Sequence, residues 1–242
     1  MTTRAAFLGR IRDEMAKTRG LFPATTAERP ARPRERLEVL RRELIERWPQ
    51  SLERFRAEFE RVGGVFHRAR PGDVPALLAR ICRERDARSV VTWDAAELGI
   101  DAGPVLASAG VDVHAMPRAV PSAPERQRLR EVIAHADVGV TGVDLAIAET
   151  GTLVMRSAAG RPRSTSLLPP CHVALFERGA LVETLAQVGI ALEAWHDGAA
   201  ADTEGAVINF ITGPSRTADI ELTLTRGVHG PKEVHAIFVD HD

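Results

Sequence analysis

The chain has 242 residues, enough for one large domain or one domain with a helical appendage. Its 32 basic and 33 acidic residues nearly cancel, which argues against a general nucleic-acid binder, a class marked by strong basic excess. Two cysteines, Cys82 and Cys171, lack CxxC spacing and are too few for an ordinary four-thiolate iron–sulfur cluster. Electron-transfer chemistry would therefore place its clusters on another chain. No long apolar span or signal peptide is visible, so the expectation is a cytoplasmic protein without a membrane span. Tyrosine is absent, which removes one common general acid.

The first stretch, RAAFLGRIRDEMAKT, spaces Phe7, Leu8, Ile11 and Met15 for an amphipathic helix. Gly20 and Pro23 end it, and LFPATTAERPARP reads as an exposed, proline- and arginine-rich arm. The arginines from Arg29 to Arg42 are interleaved with Glu35, Glu38 and Glu43, the pattern of a solvated helix face. A helical stretch from Pro33 to Val62 should break near Trp48, because Pro49 cannot continue a helix, and stop at Gly63-Gly64.

From residue 63 short apolar runs alternate with helices, which predicts a largely parallel α/β sheet. Expected strands start at Val65 and cover 89–93 and 111–114. Asp73 is positioned to cap a helix with Pro75 in its first turn. Another helix is expected from Asp101 to Ala109, and Ser122 with Glu125 forms a capping-box pattern before a third. After Ala136 strands dominate: VDLAIAET and GTLVMR meet at a tight turn at Thr150-Gly151, then CHVALFE, AVINFIT and EVHAIFVD follow. A helix is expected over 182–188, and 198–205 is an alanine- and glycine-rich link. The organisation is thus an N-terminal helical extension, 1–62, and an α/β domain, 63–242.

Three clusters carry candidate chemistry. In Glu149-Thr150-Gly151-Thr152 a carboxylate beside a glycine turn suits a general base or a nucleophile, but composition alone favours a carboxylate that caps or pairs at the turn. In Arg161-Pro162-Arg163-Ser164-Thr165-Ser166 two guanidinium groups beside hydroxyls suit a phosphate or carboxylate, and His172 follows at the start of a strand. In the third, Gly213-Pro214 makes a turn and Ser215 is placed to cap a short helix opening Arg216-Thr217-Ala218-Asp219, so that its free amides and Arg216 would hold an anion. Gly227-Val228-His229-Gly230-Pro231 is a second tight loop that could bring His229 to the same rim, although both loops also read as ordinary turns. No metal-ligand spacing is present near these loops, and no metal is expected there.

Taken together and in this order, ETGT, SLLPPCH, ITGPSRTADIE and GVHGPKEVHAIFVD resemble the LUD-domain family of lactate utilization proteins, over about the last two thirds of the chain. The resemblance implies an open sheet flanked by helices, similar to the NagB/RpiA/CoA-transferase group. It also implies a role in oxidising L-lactate to pyruvate beside two partner proteins that carry the iron–sulfur clusters, with no cofactor in this chain. Glu149 and His229 are then the candidate proton-handling residues. Thr150, Gly151, Thr152, Arg163, His172, Gly213, Ser215, Arg216, Thr217, Asp219 and Gly230 are candidates for binding a small anion such as lactate, a nucleotide or phosphate. Two other readings are a CoA-transferase-like enzyme with Glu149 as nucleophile and a non-catalytic assembly module.

Overall fold

The computed structural model describes residues 3–17, 32–119, 122–197, 207–218 and 224–242. Most of the proline- and arginine-rich arm, the 198–205 link and Asp219 lie outside the described residues, as does the side chain of Thr217. The chain divides into two compact units, Met1–Ala31 and Arg32–Asp242. The first contains α1 (Arg4–Lys17), with Phe7, Leu8 and Ile11 exposed. No helix among the described residues is long and apolar enough to cross a membrane.

The second unit opens with α2 (Pro33–Ile45) and α3 (Trp48–Arg61). The break falls at Trp48 as expected, because Pro49 fits only the first turn of a helix. Leu52, Phe55 and Phe59 recur at helical spacing and form the buried face of α3.

A six-stranded, all-parallel sheet follows. Its strands are β1 (Val65–Ala69), β2 (Ser89–Thr92), β3 (Asp112–Ala115), β4 (Val138–Gly142), β7 (Cys171–Phe176) and β12 (Glu233–Val239). Their spatial order is β1-β12-β7-β4-β2-β3. From β2 the chain steps outward to β3, then returns to the other side of β2 as β4. The order reverses there, so the carboxyl ends of β2 and β4 flank the crevice where ligands bind in open α/β sheets. Helices α4 (Val74–Arg83) and α6 (Gly103–Ser108) cover one face through Leu78, Ile81, Cys82 and Leu106. Helix α3 and α7 (Ala123–Ala134) cover the other.

On the α3 side lies a second sheet, ordered β8 (Leu181–Val182), β5 (Leu145–Ile147), β6 (Thr152–Arg156) and β9 (Ile208–Ile211). Leu153 and Met155 point from it into the core with Phe55, Phe176 and Phe238. Helices α2 and α9 (Leu185–Trp195) close its far face through Leu40, Leu44, Val188 and Ala191.

Several expectations need correction. Strand β4 has no counterpart in the sequence reading, since Gly139, Thr141 and Gly142 are poor strand formers. It is a strand because Gly139 lets the main chain of α8 (Ser164–Leu167) lie against it: a Cβ there would stand 1.8 Å from the Thr165 carbonyl oxygen. The helix expected over 182–188 begins later and runs longer, because Thr184 and Gln187 form the capping box of α9. Asp73 stands at the N-cap of α4 without capping it through its side chain. The helix expected at Arg216 is instead β10 (Arg216–Ala218), paired antiparallel with β11 (Leu224–Arg226).

Candidate functional site

The family-like motifs gather at the amino-terminal edge of the parallel sheet, around the end of α3. Strands β5 and β9 run down to that edge; the turn after β5 meets Glu58-Phe59 and the turn after β9 meets Val62-Gly63. Gly151 has φ +60, and a Cβ on it would stand 2.3 Å from the Phe59 nitrogen. Gly213 has φ +73, and a Cβ on it would stand 2.9 Å from the Val62 carbonyl oxygen. A hydroxyl chain ties the two turns: Thr150 Oγ1 to Thr152 Oγ1 and Thr152 Oγ1 to Thr212 Oγ1, each 2.7 Å.

The polar groups here are largely engaged by the protein itself. Glu149 Oε2 accepts the Leu185 amide at 2.9 Å, at the start of α9. Ser215 N donates to the Pro231 carbonyl at 2.9 Å, and Ser215 O accepts the Gly227 amide at 3.0 Å. Ser215 Oγ receives the His229 amide at 3.3 Å, and Gly230 lies against the Ser215 side chain. Arg216 Nη2 donates to the Val62 carbonyl. With a strand at Arg216 rather than a helix start, the described residues present no fan of free amides for an anion. Ser215 is a hinge between two loops and not a cap.

Arg163 and His172 do not join this group. Arg163 is exposed at the N-cap of α8, and its carbonyl accepts the Ser166 hydroxyl at 2.9 Å. His172 is fully buried in β7, with Nε2 2.9 Å from Thr141 Oγ1. The Thr141 hydroxyl donates to Met155 Sδ at 3.2 Å, which leaves it an acceptor for His172 and puts the imidazole proton on Nε2. Nδ1 finds no partner among the described residues. Burial, and secondarily the charge of His235, push its pKa down to about 3, so the ring is neutral.

The crevice at the carboxyl ends of β2 and β4 holds a different set of residues. Trp93 follows β2 and Asp144 follows β4. The Asp144 carboxylate accepts the Arg156 amide at 2.7 Å, Arg156 Nη2 at 3.1 Å and Arg161 Nη2 at 2.9 Å. The Arg161 guanidinium lies over the Trp93 ring, 4.6 Å from its centroid. Glu97, on α5 (Ala95–Leu98), is 3.3 Å from Arg118 Nη2 and 3.9 Å from Arg161 Nε. Three guanidinium groups thus face two carboxylates. Arg161 Nε and Trp93 Nε1 are both buried donors without a hydrogen-bond partner among the described residues. Buried donors of this kind are costly unless something accepts from them, and an anionic ligand would.

The other side of α5 lines a cavity of about 390 Å³, walled by Thr92, Ala95, Leu98, Leu106, Ala115 and Val140. An apolar pocket beside a few convergent polar groups is the usual form of a small-molecule site. In the sequence Arg161 stands out only as one of two loop arginines, and Trp93, Glu97, Arg118, Asp144 and Arg156 carry no local signal. The rule that finds them needs the strand order, which a linear sequence does not display.

The protein is therefore an open, doubly wound α/β domain with a cluster of charged side chains at its topological switch point. A crystal structure of a DUF162 family protein from Deinococcus radiodurans shares the fold, with a TM-score of 0.53 and 20% identity over 80% of this chain and 98% of that one. The LUD domain model matches residues 52–239, and the chain belongs to that family. Lactate utilization protein C of Halalkalibacterium halodurans is 41% identical over 116 residues, 48% of this chain and 50% of that protein. The Shouchella clausii protein of the same name is 33% identical over 181 residues, 72% of each chain. The first of these alignments thus spans about half the relative's length.

Proposed function

We propose that this chain is the carboxylate-binding subunit of a cytoplasmic lactate-oxidising system whose iron–sulfur clusters reside on two partner proteins. The lactate assignment rests on the relatives named lactate utilization protein C. The observation that carries the binding role is the Arg161–Trp93 pair, two buried donors without a hydrogen-bond partner among the described residues, set in a cluster that already concentrates guanidinium groups. A guanidinium fork suits a carboxylate, and the Trp93 indole offers one further donor.

Oxidation of lactate to pyruvate removes two electrons and two protons. Two cysteines cannot ligate an ordinary four-thiolate cluster, so the electrons leave through the partners. A ligand on Arg161 would stand a full strand away from Glu149, roughly 17 Å for five residues. In this reading Glu149 holds the start of α9 and takes no part in proton transfer.

The test is lactate-dependent dye reduction by the chain alone and by the chain mixed with its iron–sulfur partners. Activity only in the mixture, with a raised KM for lactate in Arg161→Lys, supports the proposal. Activity in the mixture that Arg161→Lys leaves unchanged removes the crevice as the binding site. Activity of the chain alone overturns the subunit reading.

A further inference from the structure

On the α4 face, at the amino edge of the sheet, Cys171 and Glu233 are direct partners across β7 and β12. Residues two apart on a strand share a face, so His235 projects beside Glu233. A sulfur, a carboxylate oxygen and an imidazole nitrogen from these three residues lie within 4.8 Å of one another. Donors bound to a tetrahedral zinc ion at about 2.0–2.3 Å sit roughly 3.5 Å apart, so modest side-chain rotation would close the set.

Arg85, just beyond α4, caps the cluster. Its Nε is 2.7 Å from Glu233 Oε2, and its Nη2 is bound to the same oxygen and 2.9 Å from His235 Nε2. A guanidinium only donates, so His235 Nε2 is a bare acceptor and the ring proton sits on Nδ1. That proton is donated to His67 Nε2 at 2.9 Å, with the two rings edge to edge and nearly coplanar, 8° apart in plane and 5.3 Å between centroids. Metal-binding imidazoles are arranged this way: an outer partner holds one N–H and the other nitrogen aims its lone pair inward.

We propose that Cys171, Glu233 and His235 form a site for a zinc-like divalent cation, with the Arg85 guanidinium as its displaceable plug and His67 as the residue that orients His235. Thiolate, carboxylate and imidazole are the zinc donor types, and Glu233, with a half-exposed side chain, leaves a coordination position open to solvent. On binding, the Cys171 S–H bond breaks, its proton passes to solvent and the sulfur bonds to the ion; no electrons change hands. Arg85 keeps its charge and turns toward Glu84 Oε2, 3.6 Å from its Nη1, and the Ile81 carbonyl.

The experiment titrates the tag-free full chain with Zn²⁺, with native mass spectrometry for stoichiometry and Co²⁺ for a thiolate-to-metal charge-transfer band. One ion per chain is expected. Arg85→Ala should tighten binding about tenfold, the scale of one charge-assisted hydrogen bond. Cys171→Ser and Glu233→Gln should each weaken it by at least about tenfold, and His67→Phe by a similar factor. Thermal unfolding without metal checks that each variant is folded. If Cys171→Ser does not fold, the Co²⁺ band and Glu233→Gln carry the test. No stoichiometric ion in either wild type or Arg85→Ala overturns the proposal, as does binding that Cys171→Ser or Glu233→Gln leaves unchanged.

Discussion

Arg161 holds the Asp144 carboxylate with Nη2 at 2.9 Å while its guanidinium plane covers the Trp93 ring at 4.6 Å, so one side chain bridges the loops after β2 and β4. The cation–π contact helps hold the guanidinium in place, and its Nε, 3.9 Å from Glu97 and without a hydrogen-bond partner among the described residues, is the donor left for a ligand.

Replacing Arg161 by lysine keeps the charge and loses both fork and stacking. Carboxylate binding by the crevice should weaken about 10- to 100-fold, while the variant stays folded because Arg156 still pairs with Asp144. Calorimetric titration with lactate, beside a thermal melt, reads both quantities.

Asp144→Asn leaves two mostly buried guanidinium groups short of their counter-charge. Breaking a buried pair from one side costs about 3–5 kcal/mol. Urea denaturation should show that loss, with a slope like that of the wild type.

At Gly151 the positive φ and the approach of the Phe59 amide both forbid a side chain. Gly151→Ala should destabilise the fold by about 2 kcal/mol or more. Gly179→Ala is the control: it has open space, and its effect should stay within about 0.5 kcal/mol. Equal effects in the two variants would show that α3 does not lie against the 148–151 turn as described.

Glu149 separates a structural from a chemical role. Glu149→Gln retains an acceptor for the Leu185 amide, so stability and activity should both persist. Glu149→Ala removes the acceptor and should cost about 1 kcal/mol at the start of α9. Loss of activity in Glu149→Gln with stability intact would revive the nucleophile or base reading.

Asp137 provides an acid-sensitive contact. Burial by itself would raise its pKa, but hydrogen bonds from Arg88 N at 2.8 Å, and from Ser89 N and Ser89 Oγ at 2.9 Å, hold it below the ordinary 3.8. A carboxylate whose folded pKa lies below its unfolded value contributes stability above the unfolded pKa and loses it as pH falls through the folded one. Wild type should therefore exceed Asp137→Asn in stability at about pH 7, and the gap should shrink below about pH 4. Chemical denaturation of both proteins across that range checks it.

Most helices were legible because their signals are local. Pro49 forced the break before α3, Ser122 and Glu125 wrote the capping box of α7, and the spacing of Leu52, Phe55 and Phe59 marked a buried face. Strand β4 was not legible, because Gly139 is explained only by the α8 main chain packed on it. Ser215 misled for a related reason. A serine after a Gly-Pro turn fits a helix cap, and pairing with Leu224–Arg226 made the next residues a strand.

The sequence by itself determined the α/β class, the break and caps of the main helices, and the motifs that mark the family, because each depends on residues within about one turn or one strand of each other. Tertiary structure alone decided the strand order and everything that follows from it. Trp93, Asp144 and Arg161 meet because β4 returns beside β2, and Cys171 meets Glu233 and His235 because β7 lies beside β12. Contacts between residues tens of positions apart are set by how faces pack, and periodicity in one segment carries no record of which segment will cover it.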